Sequence, residues 1–210
     1  MHRPDQADDR GVVGMSFPEY PEYVQSGFHW IGAIPSHWEL KPLKFLTECL
    51  DGKRIPLNSE QRSFKQGDVP YWGANAIMDY VDEAIFDENL VLIGEDGAPF
   101  LDPLKSVAFF STGPVWPNNH IHVLRPDNQQ WAKFLVRSLN ATDYANFIDG
   151  ATRQKLTQSR LMNIPICWPA DKEREKITSF LARISHRSPA SLADCAGYRH
   201  YRSLAAVTDQ

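Results

Sequence analysis

The sequence predicts an α+β domain: a twisted mixed or antiparallel sheet with short helices, followed by a C-terminal helix. Three observations carry this. Short apolar runs bounded by Gly and Pro fill residues 69–124. Residues 130–139 change to helical period. Beyond Pro169, Ile177, Phe180, Leu181 and Ile184 fall at the i, i+3, i+4, i+7 spacing of one helix face.

Residues 1–14 are polar and partly acidic and are expected to form a disordered extension, with Met15 as an alternative start. Aromatic residues and Pro then crowd residues 17–38; Trp30 and Trp38, beside Gly32 and Pro35, suggest an extended arm packed onto the domain. Residues 40–50 read as a strand turning into a short helix that Asp51-Gly52 ends. Residues 69–73 and 77–81 read as strands. Residues 89–93, the turn Gly94-Glu95-Asp96-Gly97 and residues 98–101 read as a hairpin. Residues 106–110 and 121–124 are further strands. Trp131, Phe134, Leu135 and Leu139 share one helix face, and residues 143–148 read as another helical turn or two. A helix over 171–184 is about 20 Å long and marginal alone, so its apolar stripe calls for a partner. The expected organisation is an extension (1–14), a globular domain (15–169), the start of a coiled-coil helix (170–187) and a poorly ordered tail (188–210).

Composition narrows the function classes. No apolar run approaches the roughly 20 residues that span a bilayer, and residues 1–14 lack the apolar core of a signal peptide. Both points place the protein in the cytoplasm, without membrane contact. Cys49, Cys167 and Cys195 are odd in number and widely spaced, which argues against a disulfide framework or a cysteine metal site; Cys167 is expected to be a buried thiol. A net charge of −4 argues against nucleic acid at first sight, but the charge is uneven. Residues 66–104 contain no Lys or Arg, whereas basic residues outnumber acidic ones across 133–187, and a second basic group comprises Lys41, Lys44, Lys53, Arg54, Arg62 and Lys65. A local positive face on a weakly acidic protein can still steer DNA; the alternative is ordinary solvated surface charge.

The most informative stretch is Gly150-Ala151-Thr152-Arg153-Gln154-Lys155-Leu156, continuing through Ile164-Pro165-Ile166 to Pro169. A Gly turn with two basic residues beside a short helix and a strand suits a phosphate contact. The same residues would also suit a turn that caps the following helix. Base reading needs paired donors and acceptors or Arg forks, and Lys53, Arg54, Asn75, Asn118, Asn119, Gln154 and Arg160 offer them; Asn118-Asn119 after Pro117 would equally make a plain turn. His120 and His122, two apart, point the same way on a strand and could begin a metal site, but no third ligand is evident. Glu39-Leu40-Lys41 and Asp51-Gly52-Lys53 each give the acidic-x-Lys spacing of a Mg²⁺-dependent nuclease. The sequence carries neither an Asn-Pro-Pro-aromatic run nor a Gly-Lys-Ser/Thr phosphate loop, so methyl transfer and ATP hydrolysis are not expected of it.

Several segments together resemble the specificity subunits of Type I restriction-modification enzymes: Tyr20-Pro21-Glu22-Tyr23 with Ser26-Gly27, Trp30-Ile31-Gly32, Ile34-Pro35, His37-Trp38-Glu39, Ile93-Gly94-Glu95-Asp96-Gly97, and Gly150 with Thr152-Arg153, Leu156, Leu161, Ile164-Pro165-Ile166 and Pro169. The match runs over about residues 15–184. It implies a non-catalytic target-recognition domain that binds double-stranded DNA, reads half of a bipartite target and docks a methyltransferase subunit. It places Thr152, Arg153 and Lys155 near the DNA backbone. It implies partnership with a restriction (translocase/nuclease) subunit, with S-adenosylmethionine, Mg²⁺ and ATP held by the partner subunits. Ile177, Phe180, Leu181 and Ile184 would pack against a partner helix, of the methyltransferase or of a second copy in a homodimer. Members of the family usually carry two recognition domains separated by long helices; this chain has one domain and the start of one helix, as a half-sized or truncated subunit would. The alternatives are a small Mg²⁺-dependent nuclease and a protein-interaction fragment without DNA affinity.

Overall fold

The computed structural model describes residues 20–150 and 154–185. The expected extension at 1–14 and the tail from 188 lie outside the described residues, as do Thr152, Arg153 and Cys195, and nothing is described of the Ile184 side chain.

The N-terminal arm is a two-stranded antiparallel ribbon, β1 (Tyr23–Gln25) against β2 (Ala33–Pro35). Strand β3 (Glu39–Pro42) leads through a 3-10 turn to β4 (Thr47–Cys49) and a second 3-10 turn at Asp51–Lys53. The expected strand turning into a short helix over 40–50 is instead a strand, one 3-10 turn and a second strand, because Thr47, Glu48 and Cys49 are drawn into the sheet ladder against Pro126, Arg125 and Leu124. Helix α1 (Ser59–Ser63) starts with a reciprocal cap between Asn58 and Gln61. Two strands follow, β5 (Gln66–Trp72) and β6 (Ile77–Val81), then β7 (Phe86–Asp87), β8 (Leu90–Gly94), β9 (Ala108–Ser111), β10 (Pro114–Pro117) and β11 (Ile121–Pro126). Helix α2 (Ala132–Asn140), the short pair β12 (Ile148–Asp149) and β13 (Lys155–Leu156), α3 (Gln158–Met162), β14 (Pro165–Trp168) and α4 (Asp171–Ser185) complete the order.

Eight of these strands form two four-stranded sheets, and the others pair two by two, β1 with β2, β3 with β14 and β12 with β13. One four-stranded sheet is antiparallel, in the order β4-β11-β8-β9; the other is mixed, β6-β5-β10-β7, with β5 and β10 parallel. Strand β8 explains the layering. Its run Leu-Val-Leu-Ile is buried throughout, as befits a strand covered on both faces. Val91 and Ile93 join Leu124, Phe134, Leu135 and Leu139 beneath α2, whereas Leu90 and Leu92 join Val115, Ile121 and Val123 on the other side. Each such side chain contributes roughly 1.5–3 kcal/mol of burial.

Two expectations change. Residues 98–101 are not a second hairpin strand: β8 pairs with β9, and residues 95–107 form a long connection. Pro99 and Pro103 cannot donate to a ladder, and Ala98 and Phe100 instead drop into the core, where the Phe100 ring meets Tyr144 at 5.1 Å. Residues 143–148 are a turn leading into β12 rather than helix, held by the Tyr144 hydroxyl donating to the Leu139 carbonyl.

Helix α4 packs beside α2. Its first turn is anchored on two sides. The Arg174 guanidinium lies between Trp131 (4.3 Å) and Trp168 (3.9 Å) and bonds the Pro169 carbonyl and Asp171. Glu173 accepts from Tyr20 and pairs with His37 of the arm at 3.0 Å. Ile177 packs onto the main core, so this member of the expected partner-facing stripe is in part an internal contact.

Candidate nucleic-acid interface

Four loops meet edge to edge through backbone hydrogen bonds. The β5–β6 loop closes from the Gly73 amide to the Ala76 carbonyl, and the Asn118 amide ties the β10–β11 turn to Trp72. Gly94 lets the first loop touch the β8–β9 connection: a Cβ there would stand 2.8 Å from the Ala74 carbonyl oxygen. The Glu95 amide donates to the His120 carbonyl. On its other side the same connection holds the β12–β13 pair, with Leu156 donating to Glu95 and Gly97 to Gln154. Gly150, at φ 88°, takes the left-handed conformation that glycine favours where the β12–β13 connection begins.

Beneath this rim lies a buried ionic network. His122 is 1 % exposed; its Nδ1 faces Asp51 Oδ2 at 2.5 Å and its Nε2 faces the Leu156 carbonyl at 2.8 Å. The other Asp51 oxygen accepts from the Val123 amide at 2.9 Å. Arg54 donates to Glu95 and to the Ile121 carbonyl, each at 2.8 Å, and to the Asp51 carbonyl at 3.0 Å. Lys155 reaches Glu95 at 3.3 Å. Burial opposes ionisation of Asp51, but the His122 hydrogen bond and charge, the Val123 amide and Arg54 outweigh it and hold the carboxyl below its ordinary value.

Asp51, Glu95 and His122 bring three ligating atoms within 4.8 Å of one another, so the acidic partners that the His120/His122 pair lacked in the sequence do exist in space. These atoms already have partners, however: His122 bonds Asp51 directly and the Arg54 guanidinium bonds Glu95. The donor set therefore fits a protein ion network better than a metal. The two histidines also differ. His122 is on β11, whereas His120 precedes it in the turn, partly exposed, with Nδ1 at 2.7 Å from Asp96. Burial pushes the Cys49 thiol up to about 12 and Cys167 up to about 11, which leaves both as unreactive thiols at neutral pH.

The predicted contact residues divide. Asn75, Asn119, Gln154 and Lys155 lie on the four loops, and Lys53 and Arg54 at the adjoining 3-10 turn. Asn75, Asn119, Lys53 and Lys155 are exposed. Arg54 is instead a structural cation of the network, with its side chain only 13 % exposed. Asn118 is buried, and its Oδ1 accepts from the His120 amide at 2.7 Å, so it holds the turn. Arg160 pairs with Asp149 at 2.8 Å at the base of β12–β13. Glu95 and Asp96 do stand beside the Gly150–Leu156 bend, but each is bridged, by Arg54 and Lys155 and by His120 respectively. The acidic stretch 66–104 is likewise met from elsewhere: Asp79 by Arg62, Glu83 by Lys65 and Glu88 by Arg125.

Of the acidic-x-Lys triplets, Glu39 and Lys41 pair with each other at 2.7 Å on β3, and both Asp51 oxygens are committed to His122 and Val123. Neither triplet leaves a free carboxylate–lysine pair beside a cleft, and the nuclease reading is not favoured.

Fold and rim together define a class, an α+β domain with loops from distant parts of the sequence brought together at one edge. The chain belongs to the family of Type I restriction modification DNA specificity domains, whose profile matches residues 35–188. It is 34% identical over 146 residues to a chain of Haemophilus influenzae named as a putative type I restriction enzyme specificity subunit, a match that covers 70% of this chain and 37% of that one. Its fold is similar to that of the S subunit of a Type I restriction-modification system from M. genitalium, with TM-score 0.58, 14% identity, and 71% and 39% of the two chains covered. It is also similar to a chain from a structure concerned with complex assembly and conformational transition of the type I R-M system, with TM-score 0.54, 16% identity, and 82% and 44% covered. The chain thus spans less than half the length of these relatives.

Proposed function

We infer that this chain is a non-catalytic DNA-recognition module of a Type I restriction-modification system, reading one half of a bipartite target. The observation that carries this is the convergence on one rim of Asn75, Asn119, Gln154 and Lys155 from segments far apart in sequence. Lys155, 51 % exposed, offers a phosphate contact, with Thr152 and Arg153 in the same connection. Asn75, Asn119 and Gln154 offer the amide pairs that read adenine edges. The two partner subunits, methyltransferase and restriction, would supply the chemistry and hold S-adenosylmethionine, Mg²⁺ and ATP. Helix α4 would be the docking element, through Phe180, Leu181 and Ile184, to the methyltransferase or to a second copy. The protein would act in the cytoplasm; no helix among the described residues is long and apolar enough to cross a membrane.

Co-purification with the cognate methyltransferase subunit, followed by mapping of methylated sites, tests this reading. A single methylated motif that changes when Asn119 or Gln154 is replaced by Ala supports it. Cleavage of duplex DNA by this chain alone with Mg²⁺ would overturn it in favour of a nuclease.

A further inference from the structure

His122 has acceptors on both sides. Asp51 is a carboxylate held ionised by its surroundings, and Leu156 offers a carbonyl oxygen. An imidazole satisfies two acceptors only when both ring nitrogens carry hydrogen. Glu95 Oε2 is a second carboxylate oxygen near the ring, 3.9 Å from Nδ1; Arg54 bridges both carboxylates, Lys155 reaches Glu95, and the Cys49 thiol beside Asp51 is neutral. The Leu156 carbonyl belongs to β13, the strand that carries Lys155, and Asp51 opens the 3-10 turn that carries Lys53. One buried ring thus bridges the strand that carries Lys155 to the Asp51 turn.

We propose that His122 is a positioning residue for DNA contact, clamping β13 to the Asp51 turn as an imidazolium and so holding Lys155 in binding register. The proposal rests on the recognition reading above. When the ring loses one proton, the remaining N–H stays with the carboxylate, because the charge-assisted bond is the stronger. The bare Nε2 then faces the Leu156 oxygen, lone pair to lone pair. Strand β13 keeps its bond from the Leu156 amide to Glu95 and its pairing with β12, but loses its tie to β11.

Two measurements on the full chain test this. Ring ¹⁵N spectra of the free wild type at neutral pH are expected to show His122 protonated at both nitrogens; a single neutral tautomer would overturn the proposal. Binding of a random-sequence duplex, followed by fluorescence anisotropy, is expected to weaken across the pH interval in which those ring spectra show His122 losing a proton. His122→Asn, folded by circular dichroism, should bind roughly tenfold more weakly than the wild type at the low-pH end and show a flat profile. His120→Asn should keep the wild-type pH slope, since the neighbouring imidazole is not the clamp. His122→Gln gives the same reading if H122N does not fold, and the wild-type profile needs no variant. Duplex binding that is pH-independent in the wild type, or unchanged in H122N, overturns the positioning role alone. No duplex binding by a wild type that shows the doubly protonated ring overturns the recognition reading, and the positioning role with it, while the hydrogen-bond geometry stands.

Discussion

Asp51 is the residue on which the rim is founded, and its chemistry gives a direct prediction. Its folded carboxyl lies below the ordinary carboxylate value, so the folded state binds fewer protons than the unfolded chain as acid is added. Its contribution is present above about pH 4, the unfolded value, and is lost as pH falls through the folded one. Urea denaturation as a function of pH should therefore show stability declining below about pH 4, with some of that slope missing in Asp51→Asn. At neutral pH the same variant should be less stable by roughly 3–5 kcal/mol, the usual cost of breaking a buried charge pair. Lys155, Gln154 and Asn119, singled out in the sequence, stand on the converging segments. Arg54 and Asn118 were not legible as scaffold, because their partners, Glu95 and His120 among them, are brought in by folding and leave no local pattern. Arg174 shows the same limit. It reads as a solvated helix charge, yet two indoles enclose it, and Arg174→Lys should lower stability by about 1–2 kcal/mol in thermal denaturation, since an ammonium lacks the planar face that stacks.

At the scale of elements, periodicity served well where one face is buried. Trp131, Phe134, Leu135 and Leu139 are all buried around α2, and the helical pattern after Pro169 becomes α4. It failed at 95–107, where apolar residues anchor a loop instead of lining a strand. Gly94 is the close-approach point of that arrangement. Gly94→Ala should force the Ala74 carbonyl away, cost roughly 1–3 kcal/mol and push apart the β5–β6 loop and the β8–β9 connection, seen as a lower melting temperature together with weaker DNA binding. Helix α4 carries the assembly prediction. Phe180→Asp should abolish co-purification with the methyltransferase subunit or self-association while circular dichroism stays native; an unchanged sedimentation profile with the partner still bound would contradict it. The stripe was legible as amphipathic, but its division was not: Ile177 packs inward because α4 lies against α2.

At the scale of the whole molecule, the α+β class was legible from composition and punctuation, while the split into two four-stranded sheets was not, since the parallel β5–β10 pairing depends on long-range register. Overall acidity concealed the site, because most of the carboxylates from the basic-free stretch are bridged by cations drawn from other segments. In the proposed function, loops from four places make one DNA-contacting rim with Lys155 facing phosphate. The salt dependence of duplex binding tests this most directly. Wild type should show log affinity falling linearly with log salt, and Lys155→Ala should reduce that slope by roughly 0.9 while weakening all sequences alike. An unchanged slope in Lys155→Ala, or wild-type binding that ignores salt, would contradict the account.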